Sequence, residues 1–104
     1  MRRGEVWTVG DPDNLRYRVV VLSADAHNDR PNAAPFCAPI VRRQSGSELP
    51  AYAVPLSEMD PLTGVVVVSR VRRMPASAGA ERLGMVTGAS MARLEQALRD
   101  LFEV

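Results

Sequence analysis

The feature that most constrains the fold is Val19-Val20-Val21-Leu22, which follows Arg16-Tyr17-Arg18 and leads into Ser23. β-Branched side chains are stiff at χ1 and suit a packed, pleated surface. The run carries no polar residue to alternate with, so it reads as a strand buried on both faces. A strand covered twice needs neighbours in its sheet and a layer on either side. The arginines at its entrance put fixed positive charge where a buried element meets solvent.

The flanking sequence supplies the neighbours. Arg3–Val9 reads as a first strand. Gly10-Asp11-Pro12-Asp13-Asn14 is turn chemistry, returning the chain as Tyr17–Ser23 in an antiparallel hairpin. Ser23–Asn28 predicts one helical turn with Ser23 as N-cap. Phe36–Val41 is a third strand, in which Pro39 predicts an edge or a bulge. The polar stretch Arg42–Glu48 is a connection, and Ala51–Leu56 a fourth strand. After a turn over 57–64, Gly64–Met74 predicts one long strand or two short ones, and Arg82–Val86 a last strand. Beyond Thr87, a candidate N-cap, Met91, Leu94, Leu98 and Leu101 recur at helical spacing. They predict a C-terminal helix lying on the sheet, with an apolar face suited also to a second subunit. Short strands with turns roughly every 8–12 residues predict a mainly β fold, a small barrel or sandwich closed by one helix.

Length and composition bound the rest. A chain of 104 residues is the size of a single domain, expected to span 1–104. No apolar run approaches the roughly 18 residues of a membrane span. The start, Met1-Arg2-Arg3-Gly4-Glu5, lacks the apolar core of a signal peptide, so the expected location is the cytoplasm. The lone Cys37 fits a reducing compartment. One histidine and one cysteine do not make the usual zinc ligand set, so no metal and no cofactor are expected. Net charge is only +1, yet all 13 basic residues are arginine. Genome base composition is one cause of such a bias. The functional cause is that guanidinium forks bind phosphate bidentately and never lose their charge. The arginines cluster at Arg2-Arg3, Arg16/Arg18, Arg42-Arg43 and Arg70/Arg72-Arg73. Four basic points on a small barrel are expected to converge on one groove suited to nucleic acid. Trp7 reads as core, or as a stacking surface for a base if it lies at the mouth.

The order of elements resembles the MazF/PemK family of toxins, which share a fold with the gyrase inhibitor CcdB. Arg3-Gly4-Glu5-Val6-Trp7 is similar to the family's opening R-G-(D/E)-(I/V)-W. Tyr17-Arg18-Val19-Val20-Val21-Leu22-Ser23 sits where the family has R-P-(A/V)-(V/L)-V-(L/I)-S. Asp60-Pro61-Leu62-Thr63-Gly64 resembles a turn of some members. Leu83-Gly84-Met85-Val86, with the helix after it, resembles the family's last strand and helix. The likeness covers nearly the whole chain.

The resemblance implies an SH3-like twisted β-barrel of about six or seven strands with a C-terminal α-helix, working as a homodimer. It implies metal-independent, sequence-specific cleavage of single-stranded RNA, and a cognate antitoxin whose peptide tail threads the RNA groove. The family's catalytic arginine falls at Tyr17 here, between Arg16 and Arg18, and its catalytic Thr or Ser falls at Arg42. The catalytic candidates are therefore Arg16, Tyr17, Arg18 and Arg42, and the RNA-contact candidates Trp7, Arg43, Ser45 and Arg72. Because both family positions are substituted, a non-catalytic RNA- or antitoxin-binding relative is the alternative. A CcdB-like topoisomerase poison is a further one, although the chain ends Leu101-Phe102-Glu103-Val104 and lacks that group's Trp-Gly-Ile.

Overall fold

The structure, a computed structural model, describes residues 1–10, 17–43, 46, 48–75 and 79–104. Its strands are β1 (Glu5–Val9), β2 (Tyr17–Val21), β3 (Phe36–Val41), β4 (Ala53–Pro55), β5 (Val65–Val67), β6 (Arg72–Arg73) and β7 (Glu81–Met85). Helix α1 is the short turn Asp25–Asn28, and α2 runs over Gly88–Phe102. Every pairing is antiparallel, in the spatial order β4-β5-β3-β2-β1-β7, with β6 also on β3. The fold is mainly β with one long helix, as expected. Among the described residues the path from β4 to β7 stays open, so the sheet does not close into the expected barrel. No helix among those residues is long and apolar enough to cross a membrane.

Opposed residues of an antiparallel pair share a face, and alternate residues change face. Val20 opposes Val6 and Ala38, and these three join Leu22, Val66, Val86 and Leu94 in one core beneath α2. Val19 and Val21 point the other way, into a second cluster with Val9, Cys37 and Met74. The valine strand is thus buried on both faces, with each valine at 0–1% exposure. Cys37 is a buried packing residue, and burial pushes its thiol up to about 11. In α2 the Thr87 hydroxyl accepts the Ser90 amide at 3.1 Å, the expected N-cap.

Two local expectations are corrected. Ser23 is not the cap of α1: Ala24 holds that position without a side-chain bond, while the Ser23 hydroxyl donates to Asn28 and accepts the Phe36 amide. Pro39 is not on an edge strand. β3 pairs with β2 on one side, and on the other with β6 up to Cys37 and with β5 from Ile40, so Pro39 occupies the gap between those ladders. The Gly64–Met74 stretch takes the second of its two readings, two short strands, with a 3-10 turn at Val68–Arg70 between them.

The turn over 57–64 is pinned by one buried carboxylate. Asp60 accepts the Ser57 amide (2.7 Å) and hydroxyl (2.9 Å), the Thr87 amide (2.8 Å) and the Ser90 hydroxyl (2.5 Å). It thereby ties the turn to the N-terminus of α2, where the helix dipole also favours an anion. Burial alone would raise its pKa. The Ser90 hydroxyl, the Thr87 and Ser57 amides and the Ser57 hydroxyl outweigh burial and hold it at about 2. At the end of the turn, Gly64 has φ +146°, and a Cβ there would lie 2.9 Å from the Val41 carbonyl oxygen. Only glycine lets the turn lie this close to β3.

Asp60→Ala should cost about 2–4 kcal/mol, because it strands buried donors. The folded pKa lies below that of a free aspartate, so this carboxylate's contribution is complete above about pH 4 and is lost as pH falls towards 2, amounting to about 2 kcal/mol. Urea unfolding of the parent and Asp60→Ala at pH 7 and pH 2.5 checks both. An Asp60→Ala penalty that is the same at the two pH values contradicts the assignment.

Candidate functional site

The arginines divide by what they touch. Arg2 pairs with Asp25 (3.2 Å) and Asp29 (2.9 Å), and Arg3 with Glu95 (2.7 Å). Arg82 pairs with the buried Glu5, and Arg93 donates to the Ser90 hydroxyl. Burial alone would raise the Glu5 carboxyl. The Arg2 amide, the Arg82 guanidinium and the Trp7 indole hold it below its ordinary value instead. These arginines brace the fold, so the Arg2-Arg3 pair does not join the expected groove. Arg18, Arg42, Arg43, Arg70 and Arg72 are exposed and have no ion-pair partner among the described residues.

Strand register gathers this second set. Arg18 opposes Ile40 across β2–β3, two residues before Arg42 at the end of β3. Arg18, Ile40, Arg42, Arg43 and Thr63 line one cavity of about 330 Å³. On the far side of the Arg42–Arg43 backbone, the same two arginines line a cavity of about 340 Å³ with Glu48, Val67 and Arg70. Towards β1, Thr8, Tyr17, Arg18 and Ile40 line a third, of about 420 Å³. Arg70 and Arg72 flank Pro39 in a fourth. The Arg72 guanidinium lies over the Tyr17 ring, 5.2 Å from its centroid.

Of the sequence-derived candidates, Arg18, Arg42 and Arg43 share one cavity, Tyr17 borders another with Arg18, and Arg72 stacks on Tyr17. Arg16 and Ser45 lie outside the described residues. Trp7 lines none of these cavities. It is half-buried against the Val9, Val19 and Val21 cluster and donates its indole N–H to Glu5 at 3.4 Å. His27 is held by the Ala34 carbonyl oxygen at 2.9 Å and lies against Phe36. The sequence did not single out Thr8 or Thr63, and it gave Arg70 only as part of the Arg70/Arg72-Arg73 cluster. Thr8 joins the site only because β1 sets it opposite Arg18. Thr63 arrives through the Asp60 turn, and the 3-10 turn takes Arg70 off the strand alternation.

Several unpaired guanidinium groups around connected cavities make a polyanion site with planar, bidentate donors. The Thr8 and Thr63 hydroxyls add neutral donors and acceptors. Among the described residues, no histidine or carboxylate lines the Arg18–Arg42–Arg43 cavity.

A sequence model of the PemK-like, MazF-like toxins of type II toxin-antitoxin systems matches residues 2–102. The chain belongs to this family. No curated protein matches it in sequence. Among solved structures, a mycobacterial endoribonuclease in complex with its cognate antitoxin is 21% identical, with a TM-score of 0.85, covering 100% of this chain and 96% of that one. MazF in the MazE–MazF complex of Deinococcus radiodurans is 22% identical (TM-score 0.80; 100% and 96% covered). A structure of MazF from the same organism is 23% identical (TM-score 0.76; 100% and 97% covered). At these identities the likeness establishes a shared fold, which this PemK/MazF-type chain has over its whole length.

The division of arginines carries a stability test. Replacing Arg18, Arg42 or Arg43 with Ala should change stability by less than about 0.5 kcal/mol. Arg82→Ala, which leaves buried Glu5 short of a partner, should cost about 1–3 kcal/mol. Denaturant midpoints of the four variants decide it, and a large loss in the first three would make them structural.

Proposed function

We propose that the protein is the toxin of a type II toxin–antitoxin pair, an endoribonuclease that cleaves single-stranded RNA in the cytoplasm with its own side chains and no metal. The observation that carries this reading is the convergence of Arg18, Arg42 and Arg43 on one cavity, where none of them has an acidic partner among the described residues, in a chain of the PemK/MazF family. In the reaction the RNA 2′-hydroxyl gives its proton to water and its oxygen attacks the adjacent phosphorus, while the 5′-oxygen leaves and takes up a proton from water, giving a 2′,3′-cyclic phosphate and a 5′-hydroxyl. Charge grows on the non-bridging oxygens, and guanidinium groups preorganised around them lower the barrier. Arg18 and Arg42 take that role. Arg43 and Arg72 hold the flanking backbone, and the single domain 1–104 pairs with a second copy of itself.

The solved complexes of relatives with antitoxins support a second partner, a cognate antitoxin whose extended tail occupies the same cavities and displaces RNA. One observation favours the binding-only alternative: among the described residues, no histidine or carboxylate lines the cavity to move the proton.

Incubation of single-stranded RNA with the protein in EDTA, followed by mapping of product ends, separates the readings. The ribonuclease reading expects defined cuts with cyclic phosphate ends, slowed roughly 10²–10³-fold by Arg18→Ala or Arg42→Ala. RNA that is retarded on a gel but stays intact over long incubation identifies a binder. RNA that is neither bound nor cut contradicts both.

A further inference from the structure

Tyr17 and Arg72 come from strands that are not hydrogen-bonded to each other. Arg72 of β6 opposes Cys37 of β3, and Cys37 opposes Val21 of β2. Strand alternation puts Tyr17, Val19 and Val21 on one face of β2, so Tyr17 and Arg72 project from the same side of the sheet. Pro39, opposite Val19, lines one cavity with Arg70 and Arg72. The Arg72 guanidinium stacks on the Tyr17 ring, 5.2 Å from its centroid. Among the described residues no carboxylate pairs with Arg72. The stack stands between two cavities: Tyr17 borders the one with Arg18, and Arg72 the one with Arg70.

We propose that Tyr17 is a positioning residue whose aromatic face holds the Arg72 guanidinium ready to clamp an RNA phosphate together with Arg70. A free arginine loses rotamer freedom when it engages a ligand, and a stacked one has already lost part of it. Stacking uses the π-face of Arg72 and leaves its N–H edges for phosphate oxygens. The role belongs to the ring of Tyr17 and not to its hydroxyl. This inference deepens the RNA reading above and rests on it.

The test is a double-mutant cycle on binding, using labelled single-stranded RNA that is 2′-O-methylated so that it cannot be cut. Losing one phosphate contact lowers the slope of log affinity against log salt by about 0.7, which is about fivefold in affinity at 0.1 M salt. Arg72→Ala should show that loss. Tyr17→Leu should weaken binding about two- to fivefold, the range of an exposed cation–π contact. Tyr17→Phe keeps the ring and should stay within about twofold of the parent. Tyr17→Leu combined with Arg72→Ala should be no weaker than Arg72→Ala alone. Equal loss in Tyr17→Phe and Tyr17→Leu would assign the role to the hydroxyl and overturn the inference. Additive losses in the double variant would do the same while leaving the RNA reading intact. No binding by the parent protein would overturn both.

Discussion

The pairing of β2 with β3 is the constraint on which the other features depend. Its register sets Arg18 opposite Ile40, Val19 opposite Pro39 and Val20 opposite Ala38. A slip of one residue would exchange the two faces of β2. Arg18 would leave the cavity it shares with Arg42 and Arg43, and Tyr17 would leave the side from which Arg72 reaches it. Such a slip is opposed from both sides, because the valines fill two different cores. The hydrophobic strand that stabilises the fold therefore also fixes where the cationic groups stand.

The second constraint is the Asp60 latch. It joins a turn that has no regular structure of its own to the first turn of α2, and the turn carries Thr63 to the cavity wall. Gly64 then lets the chain return close against β3. Electrostatics is used in two separate ways in this small molecule. Paired charges such as Arg2–Asp25, Arg3–Glu95 and Arg82–Glu5 hold elements together at one part of the surface. Unpaired Arg18, Arg42 and Arg43 line one cavity, where their charge is available to a ligand.

Much of the fold was legible in the sequence because it rests on local signals. The valine run announced a doubly covered strand, and Met91, Leu94, Leu98 and Leu101 announced the helix and its buried face. What was not legible depends on pairing across the chain. An open path from β4 to β7 and a closed barrel share the same strand pattern, so closure was expected and not found. Pro39 read as an edge signal because the sequence cannot show a ladder interrupted between β6 and β5. The arginine clusters were visible, but their division was not. Arg2 and Arg3 look like Arg42 and Arg43 until Asp25, Asp29 and Glu95 are brought up to them. Thr63 is an ordinary turn residue until the carboxylate three positions earlier fixes the turn in place.

The central claim is that several unpaired guanidinium groups act together on one polyanionic strand. The salt dependence of affinity for pooled-sequence single-stranded RNA tests it most directly, because each engaged phosphate contributes about −0.7 to the slope of log affinity against log salt concentration. With three to five arginines engaged, the account predicts a slope of about −2 to −3.5. A slope near zero, or no measurable binding at low salt, would contradict it.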